Sequence, residues 1–413
     1  MTNRREFLLR RLGPAALALE GGALWAGRAS AALASVEHVK LHGNRTTYCG
    51  HPRQCGIFNF GRGEIAVLHN HAPCAYQKST DVQHDYGGYH SRSVLLLQRS
   101  MDSGRTWPGE NDVEVWKEDA PVEERRKFLL SAFTSPRESI DLAKPESIVV
   151  FPRTFLGPIH YGADDMISFG LRSRDKGRTW EKVPTILVPP PGCYSATPDN
   201  TPIVRLTDGT LLFPMRTFGG RDGVDLYAST DGGLSWRYRT HICEPHDYPA
   251  LVLLKSGRLQ CYNYPLGMCY SDDGGKTWSS RKLILPPGPS PWLPEDPFYQ
   301  EGLAHRSPTP LMLRDGRIVI FFARRISPRR GMGLIVSNDG GATWSPDIIL
   351  RDDPSISTTT RIRGITCDYS DIGYPLAVEL EDGRIFTVYY YLLNDGNNFG
   401  GSRFIAGTFF RFT

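Results

Sequence analysis

Ten and nine residues ahead of five glycines in this 413-residue chain stand Arg53 and Gln54, Asp199 and Asn200, Asp247 and Tyr248, Arg306 and Ser307, and Gly373 and Tyr374. The glycines, Gly63, Gly209, Gly257, Gly316 and Gly383, each separate one apolar run from another. A guanidinium is a planar fork of donors that fits a carboxylate bidentately. A carboxylate can give or take a proton, and a phenol can act as nucleophile or base. If the segments carrying them converge, these residues make a polar cleft that accepts an anion and does acid–base work on it.

A repeated unit would bring them together. IVRLTDGTLLF, LVLLKSGRLQCY, LMLRDGRIVIFF and AVELEDGRIFTVYY each read as two strands joined at a glycine turn. A second phrase, SxDxGxxW, occurs five times, at Ser100–Trp107, Ser173–Trp180, Ser229–Trp236, Ser271–Trp278 and Ser337–Trp344, with starts 73, 56, 42 and 66 residues apart. A catalytic constellation is needed once, so a fivefold phrase marks a structural unit. Its Ser and Asp can bond amides of their own loop, its Gly can take a positive φ, and its Trp packs on the neighbouring unit. No copy carries the oxygen ligands ending in Glu that a calcium loop requires.

Two strands joined at the glycine, a third strand, the SxDxGxxW turn and a fourth strand make a four-stranded antiparallel blade. Such units begin near Arg53, Arg137, Asp199, Asp247, Arg306 and Tyr374, which predicts an all-β, six-bladed β-propeller. The last unit lacks the SxDxGxxW turn, and SVEHVK at residues 35–40 precedes the first as an orphan strand. Pairing that strand with FIAGTFFRF would close the ring and remove an exposed edge. In a propeller the first strand of each blade lines the axis, so the polar pairs above should meet there.

Residues 1–34 are set apart as a leader. NRREFLLRRLG has twin arginines, an apolar stretch follows, and the segment ends at Ala32-Leu33-Ala34, the pattern of a twin-arginine export signal. Glu20 and Arg28 interrupt the apolar run well short of a membrane span, so no stable membrane insertion is expected once the leader is removed. Its five arginines and two glutamates account for most of the formal net charge of +4 and leave about +1 on residues 35–413. That removes any electrostatic case for a nucleic-acid partner. Charged residues at 22% and apolar residues at 40% are ordinary for one large globular domain. The eight cysteines show neither CxxC nor zinc spacing. His69 and His71, with His84 and His90 nearby, lack a third ligand fixed by spacing, so neither a metal nor another cofactor is expected.

With its five SxDxGxxW phrases and six blade units, the chain resembles the sialidase (neuraminidase) superfamily of BNR or Asp-box repeat proteins over nearly all of residues 35–413. That resemblance implies a site for a sugar whose anomeric carbon bears a carboxylate. Arginines hold the carboxylate, and a neutral tyrosine replaces the carboxylate nucleophile that the substrate would repel. Carried over by motif, the first arginine falls on Arg53 in RQCGIFNFGRG and the second on Arg216 in TLLFPMR. The third falls on Arg329 or Arg330 in PRRGMGLIVS, with Arg306 as a rival. The tyrosine falls on Tyr374, with Tyr390 and Tyr391 on the next strand.

Two positions depart from the pattern. The glutamate that should pair with the tyrosine aligns on Asn200, leaving Asp199 or Glu301 as substitutes. The acid aspartate is best matched by Asp85 in HDYGGYHSR, with His90 as another possibility. Asn200, Asp247 and Tyr248 complete the expected substrate-binding set. The expectation is an exported, periplasmic or secreted, exo-glycosidase acting on sialoglycans or another acidic carbohydrate. A hydrolase or lyase for a different acidic polysaccharide, or a carbohydrate-binding propeller without catalysis, are the alternatives.

Overall fold

The computed structural model describes residues 32–52, 56–82, 92–157, 166–199, 201–220, 222–244, 248–284, 305–326, 329–362, 365–394 and 401–413. Six antiparallel sheets follow one another along the chain as blades. Blade 3 shows the pattern in full: an inner strand in two pieces, Cys193–Pro198 and Val204–Arg205, then Leu211–Gly219, Gly223–Ser229 and Arg237–Cys243. Blade 4 runs Ala250–Leu253, Leu259–Asn263, Gly267–Ser271 and Lys282–Leu283. Blade 5 runs Arg306–Met312, Ile318–Arg324, Gly331–Ser337 and Ile348–Arg351.

Blade 1 likewise splits its inner strand, into Thr47–Gly50 and Gly56–Gly61, both paired to Glu64–Pro73. Blade 2 begins at Ile148 rather than at Arg137, and its split strand Ile148–Val150 and Arg153–Phe155 pairs with Met166–Ser173. Arg137 sits in the preceding connection and donates to Leu234 O and Thr185 Oγ1, tying blade 3 to blade 2. The helix Val122–Thr134 fills the link between blades 1 and 2. Among the described residues no helix is long and apolar enough to cross a membrane.

The ring closes as the orphan strand predicts. Leu33–His42 lies antiparallel on Ser402–Phe412, with Glu37 opposite Phe409 and Val39 opposite Gly407. It completes blade 6 behind Gly373–Glu379 and Ile385–Leu393. An N-terminal strand therefore covers the edge that Ser402–Phe412 would otherwise leave open and completes the C-terminal blade.

The core lies between blades, and the SxDxGxxW turns staple it. Trp107 of blade 1 stacks on Phe386 of blade 6 at 6.0 Å, Trp236 of blade 3 meets Phe151 of blade 2 at 5.5 Å, and Trp344 of blade 5 meets Tyr262 of blade 4 at 5.9 Å. Trp180 and Trp278 pack into the clusters of blades 1 and 3. Each indole thus grips the preceding blade. The turn glycine must also fit under that blade: at Gly275, φ +81°, a Cβ would stand 2.6 Å from Leu226. Within each loop the aspartate is satisfied locally. Asp231 accepts from Ser229 Oγ at 2.8 Å, from the Ser235 amide at 2.9 Å and from Ser235 Oγ at 2.6 Å.

Candidate active site

The strand openings meet at the hub, and a backbone feature aims them. Tyr248, Ser307 and Tyr374, each nine residues before its blade's turn glycine, have φ of 51°, 55° and 54°. In blades 5 and 6 the register slips between Arg306 and Thr309 and between Gly373 and Leu376, so the left-handed residue sits in a bulge. A non-glycine residue held at positive φ costs on the order of 1–3 kcal/mol and persists only where surroundings enforce it. Repetition of the same strain in three blades at the axis marks a position where side-chain direction matters more than local comfort.

Tyr374 is 1% exposed, and its Oη lies 2.5 Å from Tyr248 Oη. Arg306 Nη2 donates to Tyr248 Oη at 3.0 Å, and its guanidinium lies over both Tyr248 (5.0 Å) and Tyr264 (4.8 Å). Arg216, from the second strand of blade 3, faces the Tyr248 ring at 5.0 Å. Its register partner Thr197 accepts from Arg153 Nη1 of blade 2 at 3.3 Å. Guanidinium groups from blades 3 and 5 therefore converge on two phenols whose rings meet edge-on at 5.1 Å. Burial and the adjacent Tyr248 push the Tyr374 hydroxyl well above the usual phenol range, against the pull of Arg306 and Arg325. Tyr374 is accordingly neutral at neutral pH.

A buried ionic floor supports the phenols. Asp371, 1% exposed, pairs with Arg403 at 2.9 Å and Arg325 at 3.3 Å, and Tyr390 Oη donates to it at 2.9 Å. Burial alone would raise the Asp371 carboxyl, but the Arg403 and Arg325 guanidiniums reverse this and hold it below the ordinary range. Arg325 also donates to Ile372 O at 2.8 Å and Tyr369 Oη at 2.9 Å, fixing the loop that leads into Tyr374. His51, itself at φ 62°, packs its ring edge-on at 5.1 Å from Tyr374 and 5.6 Å from Tyr390.

Asp199 is fully buried at the break in blade 3's inner strand, and among the described residues neither carboxylate oxygen has a hydrogen-bond partner. The neighbouring hydroxyls Ser195 Oγ and Thr201 Oγ1 are in the same state. Buried polar groups are usually bonded in folded proteins, so these three side chains keep bonding capacity at the break in the strand.

Of the other sequence-derived arginines among the described residues, Arg306 is brought against the tyrosines and Arg329 and Arg330 are not. Arg330 donates to Ser370 Oγ at 2.7 Å and Pro354 O at 3.2 Å, bracing the hairpin before blade 6, and the Arg329 charge acts on Arg324 and Asp347. Tyr390 and Tyr391 point to opposite faces of their strand: Tyr390 faces the hub and Tyr391 donates to Asp353 at 3.0 Å. Arg53, Asp85, His84, His90, Asn200, Asp247 and Glu301 lie outside the described residues. His42, His69 and His71 do cluster, with ring centroids 4.9–6.3 Å apart, but no group of three described residues could hold a metal ion.

His51, Arg153, Arg325, Tyr369, Asp371 and Arg403 were not anticipated. A usable signal existed for their neighbours: Arg216, Tyr264 and Tyr390 all stand seven residues after the turn glycine, where the second strand returns to the hub. Asp371 and Arg403, in a connecting loop and on a third strand, had none.

A domain model described as a BNR repeat-like domain matches residues 154–387, more than half of the chain. The chain belongs to the BNR repeat-like domain family. Its fold is the sialidase-like BNR propeller. A Dyadobacter fermentans protein of unknown function superimposes with a TM-score of 0.62 at 18% identity, covering 92% of this chain and 99% of that one. Trypanosoma rangeli sialidase in complex with 2,3-difluorosialic acid, described as a covalent intermediate, gives 0.57 at 17% identity, covering 92% of this chain and 59% of the sialidase. A Hadza microbial sialidase gives 0.52 at 14%, with 89% and 65% covered. These identities bear on the fold alone, and this BNR-family chain spans only about three-fifths of the trypanosome enzyme. No curated protein matches it in sequence.

Proposed function

We propose that this BNR propeller is an exported exo-glycosidase of sialidase type, removing a terminal sialic acid or a related acidic sugar from glycoconjugates. The observation that carries the reading is a buried, neutral phenol, Tyr374, facing guanidiniums from two blades, Arg216 and Arg306, across a second phenol. An anionic sugar would be drawn in by Arg216 and Arg306, while an ionised carboxylate nucleophile would repel it. Tyr374 attacks the anomeric carbon as the glycosidic bond breaks. Asp199 and Asp85 are the acid–base candidates: Asp199 because its buried oxygens have no partner among the described residues, Asp85 by its position in the sequence.

The test is to give the protein from residue 35 onward aryl sialosides and aryl uronic-acid glycosides, following the anomer released by NMR. Release with retention supports the reading. Tyr374→Phe should leave ligand affinity within about tenfold and cut kcat by about a thousandfold or more, since the oxygen removed acts only along the reaction coordinate. A Tyr374→Phe variant as active as wild type removes the tyrosine mechanism. The His51 ring beside Tyr374 favours one second reading, a lyase in which these two groups handle the proton removed next to a uronate carboxylate. An unsaturated sugar product would establish it. Binding without product would leave a carbohydrate-binding propeller. Export through residues 1–34 is a separate proposal, checked by fractionating cells that carry Arg4→Lys with Arg5→Lys: folded protein should stay in the cytoplasm, and unchanged export would refute it.

A further inference from the structure

Three cysteines meet at the joint between blades 3 and 4, and the sugar chemistry uses none of them. Cys243 ends the outer strand of blade 3, and Cys261 and Cys269 stand directly opposite each other on the second and third strands of blade 4. Being opposite, those two project from the same face of their sheet. That face packs into the cluster of Val224, Leu226 and Ile242 of blade 3, where Cys243 also lies. All three are buried, and Cys243 and Cys269 are free thiols.

The Cys243 thiol hydrogen-bonds the Cys269 sulfur across the joint. From the blade 4 side Asn263 Nδ2 donates to Cys243 Sγ at 3.5 Å, and Asn263 Oδ1 accepts from Arg281 Nε at 2.7 Å. The bond from Cys243 holds the Cys269 thiol below its ordinary range, and the Arg281 guanidinium acts in the same direction against burial. Cys269 is therefore the member of the pair that gives up its proton first. A sulfur that ionises readily beside a second sulfur is the arrangement from which thiol–disulfide exchange starts. The sheet register also selects the partner. Directly opposed residues on antiparallel strands hold their Cβ atoms about 4.5–5.5 Å apart, wider than the about 3.5–4.5 Å that a disulfide takes. Cys261 is thus a poor partner for Cys269 although it is nearer in sequence, whereas Cys243 comes from a separate sheet and is free of that register.

We propose that Cys243 and Cys269 are a disulfide site: oxidation by a small-molecule disulfide joins blade 3 to blade 4 and closes a loop that contains Tyr248 and Tyr264. One cysteine sulfur attacks the S–S bond of the oxidant, forming a mixed disulfide and releasing one thiol that carries the first proton. The other cysteine sulfur then attacks the mixed disulfide and releases the second thiol with the second proton, so the two electrons end in the two thiols. Both rings that bear on Arg306 lie within the closed loop, so the bond braces that side of the hub from outside the site. The proposed export would carry the protein to a compartment where such bonds persist. The disulfide itself requires neither the tyrosine mechanism nor any particular sugar.

The experiment refolds the purified, reduced protein in a buffer of oxidised and reduced glutathione, blocks the remaining thiols with iodoacetamide and maps the linked peptides by mass spectrometry. A peptide pair joined through Cys243 and Cys269 is expected, two hydrogen atoms lighter than its separate thiol forms, and dithiothreitol should return both cysteines to alkylatable thiols. The oxidised protein should melt a few degrees above the reduced one, because the closed loop restricts the unfolded chain. Cys243→Ala should lose both the linked pair and the difference in Tm, and Cys269→Ala should do the same. The wild-type map needs no variant to fold, so the test stands if either substitution prevents folding. A map without the Cys243–Cys269 pair, one in which Cys269 is joined to Cys261, or an oxidised protein that melts no higher than the reduced one overturns the proposal.

Discussion

The rim and the hub of this propeller are both built from serine, aspartate, arginine and aromatic side chains, yet they use them in opposite ways. At the rim the serine and aspartate of each SxDxGxxW loop are satisfied locally: Ser173, Asp175 and Thr179 bond one another and their own amides within seven residues, and the pattern recurs in five blades. At the hub no bond is local. Arg306 reaches Tyr248, Tyr248 reaches Tyr374, and Arg403 reaches Asp371, each across tens of residues and each only once. The rim aspartates are exposed or half-buried anchors, while Asp371 and Asp199 are buried. Repetition with local satisfaction is what architecture leaves behind, and uniqueness with burial is what a site leaves behind.

Breaking the hub should therefore cost far more than breaking the rim. Asp371→Asn keeps the shape but removes the charge shared by Arg325 and Arg403, both about fully buried. Stranding buried cations in this way is worth about 3–5 kcal/mol. Chemical denaturation of the variant should show a loss of that size, together with a displaced Tyr374 and reduced turnover. A loss below about 1 kcal/mol would mean that the hub tolerates imbalance as the surface does, and the contrast with the rim would fail.

A seam between blades 6 and 1 sharpens the comparison, because its polar groups are buried and shared but unpaired by charge. His42 ends the closing strand and meets His69 and His71 of blade 1. Burial lowers His42 to about 4 and His69 well below its ordinary value, with the neighbouring histidine charges acting in the same direction. A folded-state pKa below the unfolded value means that the unfolded chain takes up protons first, so this stability is complete above about pH 6.5 and drains as the pH falls toward 4. Asp112, pushed up to about 6 by burial, works in the opposite sense over the same range. The histidines outnumber it, and unfolding free energy should be lower at pH 5 than at pH 7.5 by on the order of 2 kcal/mol. Replacing His42 with Gln should flatten that dependence; an unaltered slope would show that the acid sensitivity arises elsewhere.

How much of this was legible in the sequence follows from the same contrast. The Asp-box loops could be read because their contacts are short-range and repeated, and the blade count, the closing strand and the indole staples came with them. The hub could be read only where a turn glycine provides a ruler. Counting back nine residues found Tyr248 and Tyr374, and counting forward seven would have added Tyr264 and Tyr390 to Arg216. Asp371 sits in a loop whose length no repeat sets, and Arg403 is one arginine among many until the fold brings it 2.9 Å from that carboxylate. Blade 2 was misplaced at its start because its link holds a helix and no glycine hairpin, so the ruler had nothing to grip.

The smallest expected effect lies at the rim. Asp231→Ala removes three hydrogen bonds from an exposed loop, two of them from Ser235 and one from Ser229. Losses of this capping kind cost about 0.5–2 kcal/mol, and in a chain of this size that lowers Tm by only a few degrees. The loop's grip on blade 2 comes mainly from Trp236, buried against Phe151 and Phe213, and that packing survives the substitution. None of these three bonds reaches a hub residue, so kcat and KM of the folded protein should stay within about twofold of wild type. A fall in kcat at unchanged Tm would place chemistry at the rim, and would mean that the fivefold repeat hides one loop that differs in function from its four copies.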